Sequence, residues 1–291
     1  MTDLYLDHVL IAVRDLSAAG RAFEGLGFKV TPEGRHPGRG THNRLVVFGP
    51  EYLEIIAVHD PKEGLFRPNL VPFLESREGL FIFAMGSADI DARYAELKGS
   101  GVRTREPVPG ARQAEDGATA YSWRQMEIDA AESPGSQTFV IHHDHTVEER
   151  YAEPPEPTAH PNGADGIHHL AVAVNDAEEA ASRWQDRFGL AMVSEGPVDD
   201  TTRRVRLDLG NSYLDFLSPL TTGSLSRFLE RNGEAPYHLA IRTRDLDATE
   251  NHLAKLGLST GRRSIDLDGA SFLLDPADAQ GVPLKFLLAA A

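Results

Sequence analysis

Four stretches of the chain repeat one pattern of apolar and polar positions. They are DHVLIAVRDLSAAGRAFEGLGF from Asp7, LFIFAMGSADIDARYAELKGSGV from Leu80, HHLAVAVNDAEEAASRWQDRFGL from His168 and YHLAIRTRDLDATENHLAKLGL from Tyr237. Each opens with a short apolar run, passes an Asp, and becomes an amphipathic stretch that ends at Gly. Repetition at this scale means that one structural unit is written four times.

The opening run alternates as a strand does. His8, Leu10 and Ala12 share one face, with Val9, Ile11 and Val13 opposite. His169, Ala171 and Ala173 oppose Leu170, Val172 and Val174, and His238 and Ala240 oppose Leu239 and Ile241. A His with mostly small neighbours suits the concave lining of a barrel, and the bulkier face suits a covering helix. Asp15, Asp89, Asp176 and Asp245 stand at or near the expected helix N-caps, where a carboxylate accepts from free N–H groups. Apolar residues then recur at helical spacing, as in Leu16, Ala19, Phe23 and Leu26, until Gly27, Gly101, Gly189 and Gly257 supply the left-handed cap.

Three shorter strands are expected after each helix. They fall at about 28–31, 44–48 and 52–58 in copy one, 191–195, 204–209 and 212–217 in copy three, and 262–265, 270–274 and 283–288 in copy four. Copy two is looser, with 121–128 and 138–142 the best candidates. The fold class is therefore α+β: four tandem βαβββ modules pairing into two barrel-like domains. The segment TVEERYAEPPEPTAHPNGADG has no periodicity and reads as a linker. The expected boundaries are 1–145 for the first domain, 146–166 for the linker and 167–291 for the second domain.

Composition narrows the function classes. The net charge of −15 makes nucleic acid an unexpected partner, although Arg203, Arg204 and Arg206 could hold an anionic small molecule. The absence of cysteine excludes disulfides, thiolate metal sites and cysteine nucleophiles. No basic leader and no membrane-length apolar run stand out, so a cytoplasmic protein is expected. A homodimer is one expected assembly, because it would bury exposed strand edges.

A βαβββ unit with His on its first strand and a carboxylate on its last resembles the vicinal-oxygen-chelate superfamily, which includes glyoxalases, bleomycin-resistance proteins and extradiol dioxygenases. The resemblance is carried by DHVLIAVRDL, EYLEIIAV, GIHHLAVAVNDAEEAASRWQDRFGL, SYLDFLSP and YHLAIRTRDLDA. Module one resembles the glyoxalase-like families through the Gly/His loop GRHPGRGTHNRLVVFG. The superfamily implies metal ligands on the first and last strand of each module. His8 and Glu54 lie 46 positions apart, as do His169 and Asp215, and His238 and Lys285 lie 47 apart. In module two the corresponding residues are Ile82 and a position near Val140.

The resemblance thus implies a small-molecule substrate chelated to a divalent ion (Fe, Mn, Zn or Ni), with lyase, isomerase or ring-cleaving dioxygenase chemistry. If neighbouring modules pair, His169, Asp215 and His238 meet, with Lys285 at the fourth corner. If module one closes against module four, His8, Glu54 and His238 meet. Short connections favour neighbours. Lys285 departs from the expected carboxylate. It could pair with Asp215 and abolish the site, act as a base if burial lowers its pKa, or bind a substrate carboxylate. Arg206 alternates with Arg204 on a face that is either solvated or shared with Asp215. A metal-free protein that binds an antibiotic-like small molecule is the competing expectation.

His168 is expected to turn away from His169 and pack structurally. His142, His143 and His145 are expected at a solvated strand end. His36 and His42 fall in the Gly-rich loop, read as a plain turn or as a gate carrying Asn43 and Arg44.

Overall fold

The structure, a computed structural model, describes residues 3–63, 66–114, 117–151, 158–266 and 268–289. The first half contains β1 (Tyr5–Ala12), β2 (Gly34–His36), β3 (Thr41–Val47), β4 (Tyr52–Val58), β5 (Gly79–Gly86), β6 (Val108–Gln113), β7 (Thr119–Glu127) and β8 (Thr138–His143). These eight close into a barrel in the order β1-β4-β3-β2-β6-β7-β8-β5. The second half contains β9 (Ala164–Ala173), β10 (Met192–Pro197), β11 (Thr202–Leu209), β12 (Ser212–Pro219), β13 (Ala235–Thr243), β14 (Ser264–Asp266), β15 (Gly269–Leu273) and β16 (Leu284–Ala289). They form one sheet, β10-β11-β12-β9-β13-β16-β15-β14. The helices are α1 (Leu16–Gly25), α2 (Leu70–Ser76), α3 (Ile90–Gly99), α4 (Val147–Arg150), α5 (Ala177–Phe188), α6 (Ser224–Asn232) and α7 (Leu246–Lys255).

The four βαβββ copies are present, and neighbours pair. β1 runs antiparallel to β5, and β9 antiparallel to β13. All four expected Asp residues cap their helices. Asp15 accepts from the Ala18 N–H, Asp89 from Asp91 and Ala92, Asp176 from Glu178 and Glu179, and Asp245 from Ala248. Each such cap contributes about 1 kcal/mol. Gly27 shows why glycine ends α1: its φ is +80°, and a Cβ there would stand 2.4 Å from His252 Nε2.

The bulky faces of both sheets and the helices over them form one hydrophobic core. Trp184 on α5 stacks on Phe83 of β5 at 5.6 Å, and Phe28 stacks on Phe286 of β16 at 6.1 Å. The barrel interior forms a separate cluster that includes Leu10, Tyr52, Ile82, Trp123 and Phe139.

The expected linker is more ordered than its composition implied. Thr146 and Glu149 form a capping box on α4. His160 is buried: its Nδ1 accepts the Lys29 N–H at 3.0 Å and its Nε2 donates to the Val47 carbonyl at 2.9 Å. The two bonds fix a neutral ring, and burial, aided by Lys29, lowers its pKa to about 4. Residues 152–157 of that segment lie outside the described residues. Among the described residues, no helix is long and apolar enough to cross a membrane.

Candidate functional site

Strand register places the chemistry. Leu10, two residues after His8, pairs with Glu54; Ala171, two after His169, pairs with Asp215; and Ala240, two after His238, pairs with Lys285. In module two, Ala84, two after Ile82, pairs with Phe139. The equivalent position is therefore Phe139, one residue before Val140, and it turns an aromatic ring rather than a ligand toward the interior.

The first barrel encloses a cavity of about 50 Å³ lined by His8, His36, Asn43 and Glu54 among others. That is several times the roughly 10–15 Å³ needed for one water. His8 Nε2 lies 3.4 Å from Glu54 Oε2, and His36 Nε2 lies 3.6 Å from Glu54 Oε1. Asn43 donates to Glu54 Oε1 at 2.8 Å. Both rings are anchored through their other nitrogen. His8 Nδ1 is 2.6 Å from Asp7 Oδ1, and His36 Nδ1 is 2.8 Å from Thr41 Oγ1. Tyr52 stacks flat on His8, with ring centroids 4.5 Å apart. Two imidazoles thus bring Nε2 near one carboxylate, with acceptors fixing their orientation from behind, and His36 Nε2 also lies 3.1 Å from Asn43 Nδ2.

Electrostatics follow from the same contacts. Burial opposes charge on Glu54, but the hydrogen bond from His8 and the neighbouring His36 outweigh it and lower its pKa to about 2. Burial also opposes charge on His8, yet Asp7 and Glu54 raise its pKa. Burial, reinforced by Arg112, Arg39 and Arg67, lowers His36 to about 4 and leaves it neutral. Asp7 stays ionised because His143 and His8 overcome its burial.

In the second half His169, Asp215 and His238 also converge. His169 Nε2 is 3.1 Å from His238 Nε2 and 3.8 Å from Asp215 Oδ2. Asp268, which the sequence did not suggest, joins His169 and Asp215 in a cluster with ligand atoms within 4.8 Å of one another. The carboxylates there are already committed. Arg206 donates to both oxygens of Asp215 at 2.6 and 2.7 Å, and to those of Asp268 at 2.6 and 3.0 Å. Arg204 donates to Asp268 at 2.8 Å. Burial opposes the charge on Arg206, but Asp215 and Asp268 outweigh it and raise its pKa. Two guanidiniums therefore balance two carboxylates. Arg206 shares the face of Asp215 rather than a solvated one. Lys285 pairs with Asp266 at 2.7 Å, not with Asp215.

Three other expectations change. His36 belongs to β2 and lines the cavity, so it is not part of a plain turn. His143 is not solvated: its Nε2 reaches Asp7 at 3.0 Å. His168 does not turn away from its neighbour, because its Nδ1 lies 2.7 Å from His169 Nδ1. Asp7, which the sequence did not suggest, bonds His8 from the adjacent position, where the β1–β5 pairing has a register shift between Leu6 and His8.

The chain matches the family model of a glyoxalase-like domain over residues 6–185 and again over 167–290. Over 122 residues it is 29% identical to an ethylmalonyl-CoA/methylmalonyl-CoA epimerase of Cereibacter sphaeroides, covering 40% of this chain and 91% of that protein. A hypothetical protein from Staphylococcus aureus superposes with a TM-score of 0.68 at 16% identity, covering 97% of this chain and 98% of the other. A mutant of 4-hydroxymandelate synthase from Streptomyces coelicolor superposes with a TM-score of 0.72 at 13% identity, covering 100% and 94%. These two superpositions are likenesses of fold.

Proposed function

The chain belongs to the glyoxalase-like domain family, and from that premise we propose that it is a divalent-metal-dependent enzyme whose site is the first barrel. The substrate is a small oxygenated organic molecule. The observation that carries this reading is the pair of anchored histidines, His8 and His36, both with Nε2 near Glu54 beside a cavity. Two imidazoles and a carboxylate suit Fe, Mn, Zn or Ni. A bound ion would polarise a substrate oxygen and stabilise charge developing on it.

The chain's own residues prepare that chemistry. Asp7 holds His8 Nδ1, so Nε2 faces the cavity. Thr41 does the same for His36. Asn43 orients the Glu54 carboxylate and is itself held by Arg112, whose Nε donates to Asn43 Oδ1 at 2.8 Å. Tyr52 and Phe139 cover His8 and exclude water from its faces.

The second-half cluster is the competing location. Its Asp215 and Asp268 already have cationic partners, and Arg206 would have to leave before a divalent ion gained a carboxylate. His8 has a carboxylate behind it in Asp7, whereas His169 has the imidazole of His168. Cobalt substitution tests the proposal. Visible absorption bands should appear in the wild type and vanish in Glu54→Gln. Bands that persist in Glu54→Gln and vanish in His238→Ala would move the site to the second half. Ligand binding that is insensitive to chelator, with no metal-dependent turnover, would favour the metal-free binding protein.

A further inference from the structure

The chain carries a net charge of −15, yet the cavity of the first barrel collects cations. Arg39 and Arg67 line it, and Arg112 lies directly behind Asn43. Their partners are unequal. Arg67 pairs with Glu127 at 3.0 Å. Arg39 donates to the Gln125 side-chain carbonyl and the Pro109 backbone carbonyl, both at 2.7 Å. Arg112 donates to Asn43 Oδ1 and the Pro32 carbonyl. Among the described residues, neither Arg39 nor Arg112 has a carboxylate partner. Glu54, the carboxylate nearest the cavity, is committed to His8, His36 and Asn43. Guanidinium charge held in a largely buried site without a counter-ion is costly, and an anionic ligand would relieve it.

Aromatic rings fix where those charges face. The Arg39 guanidinium lies 4.0 Å from the Phe66 ring centroid, and that of Arg67 lies 3.9 Å from Phe139 and 5.9 Å from Phe66. Stacking holds a guanidinium plane while leaving its N–H edge for a planar, two-oxygen acceptor. Burial and the neighbouring Arg67 charge lower the Arg39 pKa to about 10, which is still protonated at neutral pH. Tyr52, Tyr121, Trp123 and Ile141 face the cavity as well, beside the polar Thr41 and Gln125.

We infer that the ligand of the first barrel is a small aryl or similarly planar carboxylate, its carboxylate held mainly by Arg39, with Arg67 beside it, and its body lying between the aromatic walls. This inference rests on the reading of that barrel as the ligand site, but it does not require a bound metal.

The test is calorimetric titration of the full chain, with EDTA present, against benzoate, mandelate and phenylpyruvate and against the neutral benzamide and mandelamide. At least one acid should bind at least ten-fold more tightly than the amides. Arg39→Met should weaken it by about ten- to hundred-fold and Arg67→Met, whose charge is shared with Glu127, by less, whereas the distant Arg263→Met should leave it within a few-fold. The acid–amide comparison uses wild-type protein alone, so it stands even if an arginine variant does not fold. Equal binding of acid and amide, no binding of any acid, or full affinity in a folded Arg39→Met would overturn the inference. Loss of metal in Glu54→Gln alongside failure of the acids would leave the metal reading intact. Binding of the acids without any metal site would do the reverse.

Discussion

Replacing Arg206 by Met gives the sharpest energetic test of the second-half cluster. Its guanidinium makes four hydrogen bonds of 2.6–3.0 Å to Asp215 and Asp268, and all three side chains are nearly inaccessible. Met fills similar volume but leaves two buried carboxylates with only Arg204 between them. Breaking a buried pair by removing one partner costs about 3–5 kcal/mol. For a protein of this size that lowers Tm by roughly 10 °C. Urea unfolding followed by circular dichroism at pH 7.5 measures the cost. The sign of its pH dependence is also fixed. Burial already raises the Asp215 pKa despite Arg206, whereas at Asp268 Arg206 and Arg204 outweigh burial and hold the pKa down; without Arg206 both rise, so protonation favours the folded variant and the deficit shrinks as pH falls toward 4. Asp215→Asn in the same background should recover part of the loss. A cost below about 1 kcal/mol, or a deficit that grows in acid, would refute the account of this cluster as a self-neutralised network.

Other consequences follow from the same contacts. The pKa values of His36, His160 and His168 are each lowered to about 4, and that of His238 to about 3, with burial the leading cause in each. The unfolded chain then binds more protons between pH 6.5 and 4, so stability falls as pH falls through that window, by about 2 kcal/mol per fully neutral histidine between pH 7 and 5. His8 acts oppositely, because its raised pKa adds stability below pH 6.5 that is lost at higher pH. His160→Ala should remove one histidine's share of the acid sensitivity, and denaturation at pH 7 and pH 5 would reveal an unchanged slope if this is wrong. Asp7→Asn should weaken metal binding about 10- to 100-fold by freeing His8 Nδ1, measured by competition with a chromophoric chelator; unchanged affinity would remove Asp7 from the site. Trp184→Ala should cost about 3–5 kcal/mol by opening the core shared with Phe83, and two separated unfolding transitions would be its visible sign.

Periodicity disclosed the repeated unit because each copy must bury one helix stripe and one strand face. The Asp caps were equally legible, since an N-cap depends on local chain direction alone. The His–carboxylate spacing held because the parallel pairing of β1 with β4 and of β9 with β12 fixes the register. Contacts across the barrel were not legible. His36 sits on a three-residue strand that reads as a Gly-rich loop, and its role depends on Glu54 from another strand. Asp268 lies beside a short hairpin far from Arg206 in sequence, and only the curvature of the sheet joins them. Asp7 bonds His8 from the adjacent position, beside a register shift that alternation cannot express. The sequence therefore pointed first to the second half, where two histidines and an aspartate were visible. The arginines that neutralise the aspartate were seen without their partners.

The most direct test of the central claim is metal content per chain, by inductively coupled plasma mass spectrometry, after equilibration with Mn, Fe, Zn and Ni and gel filtration. Close to one ion per chain is expected in the wild type, with loss in His36→Ala and Glu54→Gln and retention in His169→Ala and His238→Ala. Retention in His36→Ala together with loss in His169→Ala would contradict the claim.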